Sequence, residues 1–346
     1  MRKAGFGSMS SPSFLLIQLR QIGDVVLTTP IARILKERVP GSRVAFLTEP
    51  PSDELLRGNP FIDEILVLKR HAGWKETLAL ALDLRRRSFD AVLDFMGNPR
   101  SALLTFLSGS PVRISRPARA RGVVYTHRIP PVGDYGVEMK KQLLRPLGIQ
   151  SPWNRPEIRL TSEEAGWARR VKAEQFAAGN RRMVTLDPTH RRATRRWPAE
   201  YYGILAATMA ERLRAVPVVL WGPGEEAVAD AVLRASEGKA VKAPPTGLRE
   251  MAALIAVADL HVGNCSAPRH IAVAVGTPSF TILGSTSGGW THPAPEHHHV
   301  ALGLECQPCH SNRCPRDVEC LRGLLPELVM DELAGWAEDI LGWEAT

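Results

Sequence analysis

Short apolar runs that end in turns and feed amphipathic helices recur along this chain, and this alternation restricts the fold more than any other feature. Residues 15–19 read as a buried parallel strand, Gly23 and Asp24 follow, and a helical pattern runs from 25 to 38, stopping before Pro40. Further strands are expected at 43–48, 65–68, 91–95 and 112–114, with helices at 75–86 and 101–107 between them. A stretch at 150–158 containing Pro152 and Pro156 separates these from a second series. That series has helices at 163–178, 199–214, 224–236, 248–257 and 267–275, and strands at 183–186, 216–221, 260–262 and 279–283. Such alternation builds parallel sheets covered on both faces. A chain of 346 residues is too long for one ordinary core. Two Rossmann-like, doubly wound α/β domains facing a central cleft are therefore expected, at 13–158 and 159–324. A disordered leader at 1–12, with Met9 as a candidate start, and a C-terminal helix within 325–346 complete the expected organisation.

No stretch of about eighteen consecutive apolar residues occurs, so no membrane-spanning helix is expected. Residues 1–12 lack the apolar core of a secretory signal, which points to the cytoplasm. The net charge of +8 comes largely from arginines at 85–87, 113–121, 181–182 and 191–196. An excess of this kind suits an anionic partner: nucleotide phosphates, nucleic acid or an acidic membrane surface. Aromatic residues make up only 6% and do not interleave with the basic runs, which argues against a single-stranded nucleic-acid partner.

Asp24 sits at a strand-to-helix junction, where open α/β sheets build their sites. Two readings are open for it: a helix N-cap, or a general base facing a cleft. The segment 187–198 is a second such junction, with hydroxyls at Thr189 and Thr194, guanidinium forks at Arg195 and Arg196, and Pro198 suited to a first helical turn. It is either a phosphate-binding turn or an exposed basic loop. Small residues at Asn264, Cys265, Ser266 and Ala267 let backbone amides approach a diphosphate where the helix at 267 begins. Arg269 faces either solvent or a phosphate, and His270 either packs or takes part in the site. Glu225 follows another strand and is either a ribose acceptor or a charge on the helix dipole. Cys306, Cys309, Cys314 and Cys320 fall within fifteen residues, compatible with a structural zinc site or with free thiols packing a loop. The run His297, His298, His299 reads as a polar surface loop.

The order of these elements resembles the ADP-heptose:lipopolysaccharide heptosyltransferases, glycosyltransferase family 9, from about Phe14 to Leu341. Ile22-Gly23-Asp24-Val25-Val26-Leu27-Thr28-Thr29-Pro30 is similar to the family's opening motif. Phe89 to Phe95, continuing to Arg100 and Ser101, resembles a later strand of its N-terminal domain. Arg196-Trp197-Pro198, followed by Tyr201, resembles the signature opening its second domain, and 263–278 resembles its donor segment. Pro308-Cys309 and Cys314-Pro315 are similar to a tail in many members. The resemblance implies a GT-B fold with ADP-heptose bound mainly by the second domain. It implies an anionic inner-core acceptor on a lipid A precursor, peripheral contact with the inner face of the cytoplasmic membrane, and inversion without a catalytic metal. Asp24 matches the base, Arg195 stands where a lysine often meets the donor phosphates, and Glu225 matches the ribose carboxylate. Thr189, Arg196, Asn264, Cys265, Ser266, Ala267 and His270 fall to the donor site. Two departures stand out: Cys265 replaces an aspartate of the donor segment, and the Gly284-Ser285-Thr286-Ser287-Gly288 loop lacks a second one. That pattern implies a changed donor pocket, with a non-catalytic binding protein as the rival class.

Overall fold

The computed structural model describes residues 11–117, 122–176 and 181–344, and the chain divides into two compact units, Met1–Arg159 and Leu160–Thr346. The first ten residues of the expected leader, part of the 113–121 arginine run and the end of the helix expected at 163–178 lie outside the described residues.

The first unit runs β1 (Ser13–Ile17), α1 (Ile22–Val26), α2 (Thr29–Arg38), β2 (Arg43–Thr48), β3 (Glu64–Val67), α3 (Trp74–Arg86), β4 (Ala91–Asp94), α4 (Pro99–Leu107), β5 (Val112–Ser115), β6 (His127–Arg128) and α5 (Gly136–Lys141). Its strands are all parallel in the order β3-β2-β1-β4-β5-β6. Alternate residues of one strand point to opposite faces, and here both faces are core. Phe14, Leu16, Val44, Phe46 and Leu93 join one cluster, while Leu15, Ile17, Ala45, Leu47 and Val92 join the other. The order reverses between β1 and β4, which puts the crevice of this sheet at their carboxyl ends.

The helix expected at 25–38 is two helices, α1 and α2. Pro30, the second residue of α2, has no amide hydrogen to give to a continuous helix. Thr28 and Thr29 turn their hydroxyls back onto the carbonyls of Asp24 and Val26, at 2.7 and 2.8 Å.

The second unit runs α6 (Ser162–Val171), β7 (Arg182–Asp187), α7 (Ala199–Arg212), β8 (Ala215–Val219), α8 (Glu226–Ala235), β9 (Val241–Lys242), α9 (Leu248–Val257), β10 (Leu260–Asn264), α10 (Ala267–Val275), β11 (Ser279–Ile282), β12 (His297–Val300), α11 (Glu319–Arg322) and α12 (Pro326–Leu341). Its sheet, β12-β11-β10-β7-β8-β9, repeats the parallel plan, with the reversal between β7 and β10. α12 lies in the core of this unit through Val329, Met330, Leu333, Trp336 and Ala337.

The three histidines are not a surface loop: they form β12, paired with β11. His297 is buried with its Nδ1 2.9 Å from Ser279 Oγ, and His298 stacks on Trp336 at 5.8 Å. An edge strand needs backbone pairing on only one side, so an apolar sequence is not required of it.

Candidate active site

At the crevice of the first sheet, the chain leaves β1 through buried Gln18 and enters α1, whose first turn carries Asp24. The Asp24 side chain is 34% exposed and its Oδ1 lies 3.5 Å from the Nζ of Lys140 on α5. That amine is buried, donates to Gln18 Oε1 at 2.8 Å and sits 5.4 Å from the Phe95 ring. Gln18 is itself oriented, because its Nε2 donates to the Arg20 carbonyl at 2.9 Å. Burial pulls the Lys140 pKa down to about 8 against the opposing pull of Asp24, and the nearby Arg116 guanidinium lowers it further. Arg116 also faces Asp24; its own pKa is lowered by burial, and its Nε has no hydrogen-bond partner. Asp94, at the end of β4, accepts from the Tyr125 hydroxyl at 2.7 Å and from the amides of Met96 and Gly97 at 2.9 and 3.0 Å. Burial raises its pKa, and its bonds within the turn mark it as a loop anchor. Asp24 is thus brought together with two cations that sequence reasoning missed.

At the crevice of the second sheet, Asp187 ends β7 and Ser266 precedes α10. The Ser266 hydroxyl donates to Asp187 Oδ2, and Thr189 gives Oδ1 its hydroxyl at 3.1 Å and its amide at 3.3 Å. Burial raises the Asp187 pKa to about 6. Asn264 is wholly committed to the backbone. Its Oδ1 accepts from the Trp197 amide at 3.0 Å, and its Nδ2 reaches the carbonyls of Asp187 and Thr189 at 3.3 and 3.4 Å. Trp197 is buried and its indole donates to the Leu324 carbonyl at 2.9 Å. Asn264 and Trp197 therefore fix the turn that presents Arg195.

Arg195 is partly buried, its pKa lowered by desolvation; Cys265 is an electrostatic neighbour and its Nε has no hydrogen-bond partner. Arg269 is buried rather than solvent-facing, with Nη1 3.3 Å from Cys265 Sγ and Nη2 3.0 Å from Thr291 Oγ1. Ala267 opens α10, and His270 is buried with its ring 6.5 Å from that of Trp290. Arg196 lines an open cleft of about 980 Å³ shared with Thr194, Tyr201, Val228 and Arg313. Glu225 accepts from its own turn, at 2.9 Å from the Gly222 amide, and is close enough to Asp187 to be felt electrostatically.

The structure lends no support to the zinc site expected at the four clustered cysteines. Among the described residues no group of three or more His, Cys, Asp or Glu side chains is gathered to hold a metal ion. All four are free thiols: Cys306 and Cys309 are exposed, while Cys320 packs into the core and has its pKa raised by that burial. Their loop buttresses the donor-side turns. Gln307 Nε2 donates to the Gly284 carbonyl at 2.8 Å, the His310 amide to Ser285 O at 2.7 Å, and Thr194 Oγ1 to Ser311 O at 2.8 Å. The Ser285 amide bonds the Thr194 carbonyl at 2.9 Å, which ties the loop to the Arg195 turn. Gly284 permits this closeness, since a Cβ there would stand 2.4 Å from Thr194 O.

Two six-stranded parallel sheets of one order, each with polar groups at its point of reversal, make a fold of the GT-B type. Residues 77–318 match the family described as glycosyltransferase family 9 (heptosyltransferase). The chain is 29% identical to lipopolysaccharide heptosyltransferase 3 of Escherichia coli K12 over 80% of this chain and 83% of that one. It superimposes on a family 9 glycosyltransferase from Veillonella parvula with a TM-score of 0.83 at 19% identity, covering 95% and 98% of the two chains. An E. coli heptosyltransferase solved with ADP-2-deoxy-2-fluoro heptose gives a TM-score of 0.69 at 19% identity over 93% and 98%. The chain belongs to glycosyltransferase family 9, the heptosyltransferases.

Proposed function

We propose that this enzyme transfers a heptose from ADP-heptose to the anionic inner core of a lipopolysaccharide precursor, with inversion at the anomeric carbon, at the inner face of the cytoplasmic membrane. The observation that carries the reading is the accessible Asp24 carboxylate at the crevice of the first sheet, 3.5 Å from the buried Lys140 ammonium. A reachable carboxylate fixed beside a cation is suited to act as a general base. In the step, Asp24 takes the proton of the acceptor hydroxyl as the hydroxyl oxygen bonds to the anomeric carbon. The bond from that carbon to the diphosphate breaks on the opposite face, and ADP leaves with the electron pair. Lys140 touches no substrate in this scheme: Gln18 holds it in place, and its charge steadies the ionised carboxylate. Arg195, whose Nε is unspent, and the amides at Cys265 and Ala267 take up the charge growing on the departing diphosphate. Side chains and backbone amides suffice, and no cofactor is assigned a part. The relative that holds ADP-2-deoxy-2-fluoro heptose supports an ADP-sugar donor.

One observation favours a second reading, a donor whose sugar differs from heptose. Cys265, with buried Arg269 3.3 Å away and Arg195 as a neighbour, makes the donor-side turn cationic. Thermal stabilisation by ADP, UDP, GDP and their sugar conjugates separates the readings, because a ligand of the folded state raises the melting temperature. The largest shift with ADP-heptose is expected. A larger shift with another nucleotide sugar would reassign the donor, and no shift with any of them would sink the transferase reading.

A further inference from the structure

The α3–α4 layer of the first unit takes no part in the chemistry above. The two helices pack together on the sheet face whose core holds Leu15, Leu47 and Val92. Thr77, Ala81 and Leu84 turn α3 inward, while Ala102, Leu104 and Thr105 do so for α4. On the outer side of α3, Trp74, Leu78 and Leu82 recur at every fourth position, so they line one stripe, and they are 73%, 43% and 54% exposed. Leu103 and Phe106 on α4 are 48% and 54% exposed, and Val123, on a turn packed against α4, is 92% exposed. Half of the twelve large apolar side chains exposed among the described residues therefore sit on this one layer. Apolar surface gathered in this way marks a contact site rather than the scattered exposure normal in a folded chain.

The charges around the patch select the partner. Lys75 Nζ lies 5.7 Å from the Trp74 ring, and the Arg113 guanidinium 6.0 Å from that of Phe106. Arg85 crosses from α3 to the end of α4, where a Cβ on Gly109 would be 3.4 Å from its Nη1. The carboxylates of α3 are occupied elsewhere: Glu76 accepts from the Gly73 amide at 2.9 Å, and Asp83 holds Arg86 and Arg87 at 3.3 and 2.6 Å. Two copies of the chain meeting through this face would set cation against cation. An anionic bilayer answers both features at once. Its acyl boundary accepts the aliphatic chains and Phe106, its headgroup level suits Trp74, and its phosphates suit Lys75 and Arg85.

On the acceptor reading given above, in which the sugar acceptor is anchored in a membrane, we propose that the α3–α4 face docks this enzyme on an anionic lipid bilayer. The test is cosedimentation of the full chain with vesicles of equal parts phosphatidylglycerol and phosphatidylcholine, against vesicles of phosphatidylcholine alone. The unsubstituted chain is expected to bind the anionic vesicles and to be released by salt. Combined Trp74→Ser, Leu82→Ser and Phe106→Ser should lower the partition coefficient about tenfold or more, with circular dichroism unchanged because all three side chains are exposed. Brominated lipid should quench tryptophan emission in the unsubstituted chain and quench much less in Trp74→Phe. Equal sedimentation of the unsubstituted and triply substituted chains would overturn the proposal, as would quenching that does not depend on Trp74. A lipid-free dimer that the triple substitution turns into monomer would overturn it too, giving the face to a second copy. The vesicles contain no acceptor and no turnover is read. Docking without transfer would therefore refute the transferase reading alone, and transfer without docking would refute this proposal alone.

Discussion

Replacing Lys140 by Met keeps the length of the side chain and removes a buried charge, so its effect follows from the surroundings of one amine. Free in the unfolded chain, the amine holds its proton up to the ordinary pKa of 10.5; in the folded chain it holds it only to about 8. Between these values the unfolded state carries the extra proton, so this group makes stability rise with pH across that window. The difference of about 2.5 units corresponds to about 3 kcal/mol, at roughly 1.4 kcal/mol per unit. At neutral pH the substitution relieves that burden but leaves Gln18 Oε1 buried without its donor, a loss of about 1–3 kcal/mol. The two nearly cancel, and Lys140→Met should be about as stable as the parent there. Above pH 10.5 the amine is neutral in both states, so only the lost Gln18 donor remains and the parent should lead by about 1–3 kcal/mol. Urea unfolding of both proteins at neutral and high pH reads this directly, since other titrating groups cancel in the difference. A stability difference that stays flat with pH would refute a buried, protonated Lys140, and with it the ion pair to Asp24.

Burial of Asp187 works in the opposite direction. Its carboxyl keeps a proton to about 6 in the folded state against 3.8 unfolded, so stability should fall by about 3 kcal/mol as pH rises through that range. Asp187→Asn should abolish the slope in acid urea titrations. Gly284→Ala drives a Cβ to 2.4 Å from the Thr194 carbonyl; a loss of about 1–3 kcal/mol and a raised donor KM are expected in unfolding and steady-state assays. Arg195→Ala should lower kcat/KM about 10²–10³-fold by removing a cation from the leaving diphosphate. Arg196→Ala, whose side chain is exposed, should leave it nearly unchanged, and equal losses in the two variants would place the phosphates elsewhere.

Strands such as β1 and β2 were legible because both of their faces are core, which forces an uninterrupted apolar sequence. β6 and β9 are two residues each and β12 is three histidines and a valine, so neither length nor pattern marks them. Asp24 stood out because it directly follows Gly23 after a buried strand, although the turn itself is made at Gln21, whose φ is 65°, and Gly23 lies within α1. Lys140 did not, since α5 spans six residues, too few to show a period, and a lysine is expected in water until a distant carboxylate and amide enclose it. Residue type pointed Asn264 toward a ligand, yet the folded chain spends its amide on joining the ends of β7 and β10 to the Arg195 turn. The cysteine spacing left a metal and packed thiols both open; the fold puts Cys320 in the core near the other three thiols and shapes their loop by its bonds to Gly284, Ser285 and Thr194. Cys265 read as a lost carboxylate and Arg269 as either solvent-facing or a phosphate partner; only packing shows them as a pair.

The central claim, that Asp24 is the base of a glycosyl transfer, is tested most directly by donor-dependent ADP release in the presence of lipopolysaccharide inner-core acceptors. The parent and Asp24→Asn would be compared in the same assay, with the melting shift on ADP recorded for both. The parent should release ADP, and the variant should be slower by about 10²–10⁴-fold while keeping its ADP shift. Turnover by Asp24→Asn at the parental rate would contradict the account.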